Sequence, residues 1–171
     1  MSESRYAVVR DRAEATRRAG IASGDASAAS VPETAKAAIS FTYTLLSGWG
    51  LVRNPHIAVW IEDPDGELVR TVFVKDMDGV NTMDTWYETL GRTETTSSST
   101  KPAGSNSVEW DLTDESGRRV AAGEYHVCIE ASRDMGPYEL VRQQVRFGRK
   151  AATHYLKASG ELASAVVVYQ V

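Results

Sequence analysis

"SVEWDLTDESGRRVAAGEYHVCIEAS", residues 107–132, decides the architecture of this chain. "NSVEWDL" (106–112) reads as a strand that brings Trp110 to a core. "TDESG" (113–117) is a turn, with Asp111 and Asp114 placed to cap it and Gly117 free to take a positive φ. "RRVAA" is a short piece, Gly123 a break that can also supply a positive φ, and "EYHVCIEAS" a long strand opened by Tyr125. Strand, capped turn and strand within so few residues predict antiparallel β structure.

The same pattern extends outward. "HIAVWIE" (56–62) is a dense apolar run, "DPDG" (63–66) has the chemistry of a type I turn, and "ELVRTVFV" (67–74) returns as the second arm of a hairpin. "AISFTYTLL" alternates Ile39, Phe41, Tyr43 and Leu45 against Ser40, Thr42 and Thr44, the period of a half-buried strand. "YELVRQQVRFG" (138–148) follows the turn "RDMGP", and "ELASAVVVYQV" (161–171) is a β-branched closing strand. The sum is about seven strands. "DTWYETLG" (84–91), with Asp84 as N-cap and Gly91 just past the end, predicts one short helix. This is the pattern of an all-β, antiparallel, immunoglobulin-like β-sandwich, with Trp60, Trp110 and Tyr125 as candidates for the inter-sheet core.

Residues 1–34 differ. They are rich in Ala, Arg, Ser and Glu with almost no large apolar side chains, and predict a flexible or partly helical arm ahead of a sandwich domain over 35–171. Arg17-Arg18 resembles a twin-arginine pair, but "AGIASGDASAAS" after it is no apolar signal core, so the residues alone point to a cytoplasmic or already processed chain. No stretch is long and apolar enough to span a membrane. The formal charge of −4 provides no basic field for nucleic acid.

No nucleophile elbow, phosphate loop or dinucleotide fingerprint appears, and no catalytic residue is selected. His56, His126 and His154 are spaced like no metal site. Asp63, Asp65 and Glu67, and Asp111, Asp114 and Glu115, read as turn carboxylates before they read as cation ligands. Cys128, the single cysteine, reads as buried and inert. The unabsorbed feature is "ETTSSSTKPAG" (94–104), where Thr95 to Lys101 carry six hydroxyls and no apolar side chain.

"HIAVWIEDPDGELVRTVFV" followed by "SVEWDLTDESGRRVAAGEYHVCIEASRDMGPYELVRQQVRFG" resembles domain-of-unknown-function family twenty-two seventy-one, predicted periplasmic bacterial proteins. The resemblance covers about 37–171. The second block also resembles the immunoglobulin-like module of flagellar hook-capping proteins, a likeness of module geometry. The resemblance implies a bacterial extracytoplasmic protein in the periplasm and a protein partner. It also implies a segment like Asp-x-x-Ser-Gly-Ala-Thr-x-x-Pro-Gly, on which a flavin transferase attaches FMN to the final Thr through a phosphoester. On this chain the Asp position is Glu94, the Ser is Ser97, the Gly-Ala pair is Ser98-Ser99, and the acceptor is Thr100, with Pro102 and Gly104 following. Trp86 or Tyr87 would then offer a stacking face, and Lys101 or Arg92 a counter-charge for phosphate.

Three expectations follow. The first is a non-enzymatic accessory or interaction domain without cofactor or metal. The second is a redox carrier with FMN on Thr100, whose partners would be a flavin transferase and a membrane redox protein. The third is a small-ligand-binding or hydrolytic sandwich.

Overall fold

A computed structural model describes residues 29–46, 55–75, 85, 104–133 and 136–171. These form eight strands: β1 (Lys36–Tyr43), β2 (His56–Glu62), β3 (Leu68–Lys75), β4 (Gly104–Trp110), β5 (Gly123–Ser132), β6 (Tyr138–Phe147), β7 (Ala152–Leu156) and β8 (Leu162–Gln170). They pair antiparallel in two four-stranded sheets, ordered β4-β1-β8-β7 and β3-β2-β5-β6. The fold is the expected all-β sandwich. The eighth strand is β7, "ATHYL", whose mixed side chains gave no alternation to read; pairing with β8 orders it. Of the helix expected over 84–91, only Thr85 falls among the described residues.

Alternation is what lets the sheets stack, because every second side chain points to the same face. Ile39, Phe41 and Tyr43 of β1 meet Ile57, Val59 and Ile61 of β2, Val127 and Ile129 of β5, and Val167 and Tyr169 of β8 in one core cluster. Trp110 stands edge-on to Phe147 at 5.4 Å and to Tyr125 at 6.1 Å between ring centres, and Phe147 is edge-on to Tyr169 at 5.3 Å. The indole of Trp110 donates to the Thr113 carbonyl at 2.9 Å, so its one polar atom is satisfied.

Trp60 corrects the expected core. It is fully buried, but it packs with Ala58, Val74, Cys128 and Leu68 in a second cluster, separate from the inter-sheet core that holds its strand neighbours Val59 and Ile61. The run "HIAVWIE" is apolar on both faces, so alternation alone could not say which side of the sheet takes the indole.

The chain crosses the sandwich between two distinct ends. At one end, here the turn end, lie 63–67, 111–122 and 148–151. Asp63 Oδ1 accepts the amides of Asp65 and Glu67, both at 2.9 Å, and Gly66 closes the DPDG turn at φ 87°. Gly117 has φ 79°, as its turn requires; Gly123, expected to share that role, has no positive φ and simply begins β5. The Tyr125 hydroxyl reaches back to the Ala121 carbonyl at 2.8 Å in the manner of a tyrosine corner. Residues 29–35 pack here too: Val31 N donates to Val120 O at 3.2 Å, and Val31 and Ala35 are buried.

At the other end, the rim, lie the strand ends Tyr43, His56, Lys75, Gly104, Ser132, Tyr138, Leu156 and Leu162, where the connections 44–55, 76–103, 133–137 and 157–161 leave and rejoin the sheets. The register fixes this, since Tyr43 lies opposite both Gly104 and Leu162, and Ser132 opposite both His56 and Tyr138.

Candidate functional site

The rim is built on Glu161, the residue just before β8, whose side chain is fully buried. Arg133, just after β5, meets it with a two-pronged pair: Nε to Oε2 at 2.9 Å and Nη2 to Oε1 at 2.7 Å. The Tyr43 hydroxyl donates to Oε2, and the Leu46 amide to Oε1 at 3.0 Å. The Glu161 carbonyl accepts from Thr44 N at 2.8 Å. One carboxylate therefore ties together the ends of β1, β5 and β8, in both sheets. Burial works to raise the Glu161 carboxyl, but the hydrogen bonds from Arg133, Tyr43 and the Leu46 amide outweigh it and hold the carboxyl below its ordinary range. Burial and the adjacent Glu161 carboxylate push the Tyr43 phenol well above its usual value, so it is a neutral donor.

Two glycines make room for this network. Gly160 has φ 60°, and a Cβ there would overlap the Glu139 carboxylate. That carboxylate accepts the Glu161 amide at 3.3 Å and the Ser159 hydroxyl at 3.3 Å. A Cβ at Gly136 would overlap the Arg133 side chain. Both turns are thus glycine turns because a charged side chain lies against them. None of Tyr43, Arg133, Glu139 or Glu161 was singled out from sequence. The signal available was a lone Glu opening an otherwise apolar closing strand, which on its own reads as a turn residue.

Thr100, with Glu94 to Lys101, Trp86, Tyr87 and Arg92, lies outside the described residues. What the structure places is the point where that stretch joins the fold. Gly104 opens β4 at the rim, opposite Tyr43, with φ 125°. Four residues of extended chain span at most about 14 Å, so Thr100 is tethered to this end.

The acidic turns are occupied by their own chain. Asp111 Oδ1 takes the Thr113 amide at 3.1 Å and its hydroxyl at 2.6 Å. Asp114 Oδ1 takes the amides of Ser116 at 2.8 Å and Arg118 at 3.0 Å, and Oδ2 takes the Arg118 guanidinium. Glu115 Oε1 accepts the Thr71 amide at 2.8 Å. Desolvation opposes ionisation of Asp111 and Asp114, yet these bonds prevail and both are held below the ordinary carboxylate range. Among the described residues no three His, Cys, Asp or Glu side chains converge as metal ligands would. His126 Nδ1 lies 3.1 Å from the Asp63 carbonyl, while His154 stands on β7 in the opposite sheet, so the three histidines are not brought together.

A shallow recess of about 200 Å³ lies where edge strands β3 and β4 adjoin, lined by Arg70, Thr71, Val72, Glu109, Trp110 and Asp111. It is smaller than the roughly 300–1,000 Å³ usual for small-molecule sites. On the outer side of the β3-β2-β5-β6 sheet, Glu62 joins Trp60 and Arg142: the indole donates to Oε1 at 2.8 Å and Arg142 Nε to Oε2 at 2.7 Å. Cys128 sits opposite both Trp60 and Arg142, fully buried, and burial with the nearby Glu62 charge pushes its thiol up, the state of an inert cysteine.

The model of one family, described as Predicted periplasmic protein (DUF2271), matches residues 39–164, from within β1 to within β8. This chain belongs to that family. The match takes in both sheets, the rim pair Arg133–Glu161 and the whole 76–103 connection. For DUF2271 the description supports an extracytoplasmic location and names no activity. Comparison with curated proteins returned no match. Among the described residues, no helix is long and apolar enough to cross a membrane.

Proposed function

We propose that this DUF2271 protein is a non-enzymatic, extracytoplasmic accessory module that works through its rim, and that the connection displayed there is an acceptor for FMN on Thr100. The observation that carries the reading is the convergence at the rim. The connections 44–55, 76–103, 133–137 and 157–161 leave one end of a rigid sandwich, fastened by the buried Arg133–Glu161 pair. Loops on a stiff scaffold are where such folds present function. The stretch with the acceptor hydroxyl enters β4 at this end.

Of the segment the resemblance implies, the chain keeps Ser97, Thr100 and Gly104, has Pro102 one residue ahead of the proline position, which is Ala103, and replaces the acid by Glu94 and the small pair by Ser98-Ser99. The Arg133 guanidinium is committed to Glu161, so the phosphate's counter-charge falls to Lys101 or Arg92. FMN on Thr100 would supply one- and two-electron chemistry, and the protein would bind, tether and present it to a membrane redox partner.

Intact mass after co-expression with a flavin transferase tests this. An added FMN mass that disappears in Thr100→Ala establishes the carrier. An unmodified wild-type mass leaves the rim as a surface for a protein partner, the second reading, which the same convergence of connections supports.

A further inference from the structure

On one side of the sandwich the two sheets are joined by side chains where a strand would otherwise lie. β6 and β7 are edge strands of opposite sheets, and they adjoin there. Val141, Gln143 and Val145 share the inward face of β6; the valines are buried in the core, and the polar residue stands between them. Gln143 turns its amide onto the free edge of β7. Its Nε2 donates to the Tyr155 carbonyl at 3.3 Å, and its Oε1 accepts the Lys157 amide at 2.8 Å. One donor and one acceptor on a planar amide are what a peptide unit of a further strand would present. Glu139, on the same face of β6, continues the seam by accepting the Ser159 hydroxyl and the Glu161 amide, both at 3.3 Å.

A free strand edge is a template for pairing with another chain, and edges are ordinarily guarded by charges, prolines or bulges. The other three edge strands carry charge: Arg70 on β3, Glu109 on β4, and Glu139, Arg142 and Arg146 on β6. β3 is also bulged against β2, and Glu115 closes part of its edge, donating its amide to the Val69 carbonyl at 2.9 Å and accepting the Thr71 amide at 2.8 Å. β7 differs. "ATHYL" has no Asp, Glu, Lys, Arg or Pro, and it pairs with β8 without a register shift. Its outward face bears Tyr155, 80% exposed. The guard of this edge is the side chain that arrives from β6.

We propose that Gln143 is a latch on the β7 edge, which keeps the chain from pairing through β7 with a second copy of itself. Released, two β7 strands meet antiparallel about a twofold axis and continue the β4-β1-β8-β7 sheet into that of the second copy. The uncharged strand suits this, since self-pairing sets no like charges opposite one another within it. The latch acts away from the Thr100 connection and holds whether or not FMN is attached there.

Gln143→Leu in the full chain tests this, because leucine suits a position between two buried valines and cannot bond the β7 edge. The wild type is expected to sediment as a monomer across a concentration series, with the Lys157 amide protected. In Gln143→Leu that amide should exchange about tenfold faster or more, as its bond is lost, and the protein should dimerise as concentration rises. Thr153 turns its backbone to the same edge as Tyr155, because alternate residues of an antiparallel strand bond to the same side. Thr153→Pro removes a donor from that edge alone. Gln143→Leu/Thr153→Pro should therefore return to monomer with the Lys157 amide still fast. Hydrogen exchange of the β1 amides shows whether the sandwich itself is intact. If Gln143→Leu loses that protection, Gln143→Thr, polar and too short to reach β7, takes its place. A dimer that forms on loss of Gln143 and is undone by Thr153→Pro supports the proposal. A wild-type dimer undone by Thr153→Pro, an unchanged Lys157 amide, a Gln143 variant that stays monomeric, or a dimer indifferent to Thr153→Pro overturns it.

Discussion

At the turn end, Asp63, Asp111 and Asp114 bond to amides two to four residues away. At the rim, Glu161 bonds to Arg133, 28 residues away, and to Tyr43, 118 away. Both ends use carboxylates to fasten loops to sheets, but the three Asp caps do so within a turn, with Glu115 reaching Thr71 of β3, while the rim carboxylate joins several strand ends across the sandwich. A local cap can form as soon as its turn forms. The rim pair has no partner until both sheets are in place, so it reports completed folding. Buried pairs of this kind add little net stability over apolar packing, yet breaking one is costly. The rim is thus the part of the molecule where a single change should disturb several connections at once.

Trp110→Ala should have the largest effect, about 3–5 kcal/mol, because it empties the aromatic cluster beside the turn end. Urea denaturation followed by backbone circular dichroism reads it. A loss below about 1 kcal/mol would mean that the cluster does not organise the core.

Glu161→Gln comes close behind, at about 3–5 kcal/mol, since it removes the charge that faces a buried guanidinium. The comparison predicts a spread effect, with hydrogen exchange quickening near 44–46, 133 and 157–161 together. Exchange rising at one of these alone would break the contrast between the two ends.

Acid sharpens the same point. The Glu161 carboxyl is held below its ordinary value in the folded chain, against about 4.3 when unfolded. The stability it contributes is therefore present above about pH 4.3 and is lost as pH falls toward the folded value. Between about pH 4.3 and that lower folded value, Glu161→Gln should show a shallower fall in stability with pH than the wild type, measured by urea midpoints across a pH series. Parallel curves would remove Glu161 from the acid response.

Gly160→Ala should cost about 1–3 kcal/mol, for a left-handed φ and displacement of the Glu139 carboxylate. The smallest effect belongs to the turn end. Asp114→Ala should cost about 1 kcal/mol and leave exchange elsewhere unchanged, because its bonds go to Ser116 and Arg118 in the same turn.

Much of this follows how far apart in the chain the interacting residues are. β2, β6 and β8 were legible almost to the residue, since their apolar runs and bounding turns lie within a short window. β7 was not, because "ATHYL" is a strand only beside β8. Thr100 is proposed as an acceptor from the resemblance alone, and it lies outside the described residues, as do Trp86, Tyr87 and Arg92.

By itself the sequence determined the sheet class, most strands, the DPDG and TDESG turns and the burial of both Trp60 and Trp110. Period two, turn chemistry and hydrophobicity are local properties and need no partner to be read. Only the tertiary structure decided that Trp60 faces away from the inter-sheet core, that Gly160 and Gly136 make room for charged side chains, and that Tyr43, Arg133 and Glu161 form one buried network. Those facts depend on which strands pair and how the two sheets stack, and a polar residue's meaning changes from solvated to structural only when its partner arrives from another part of the chain.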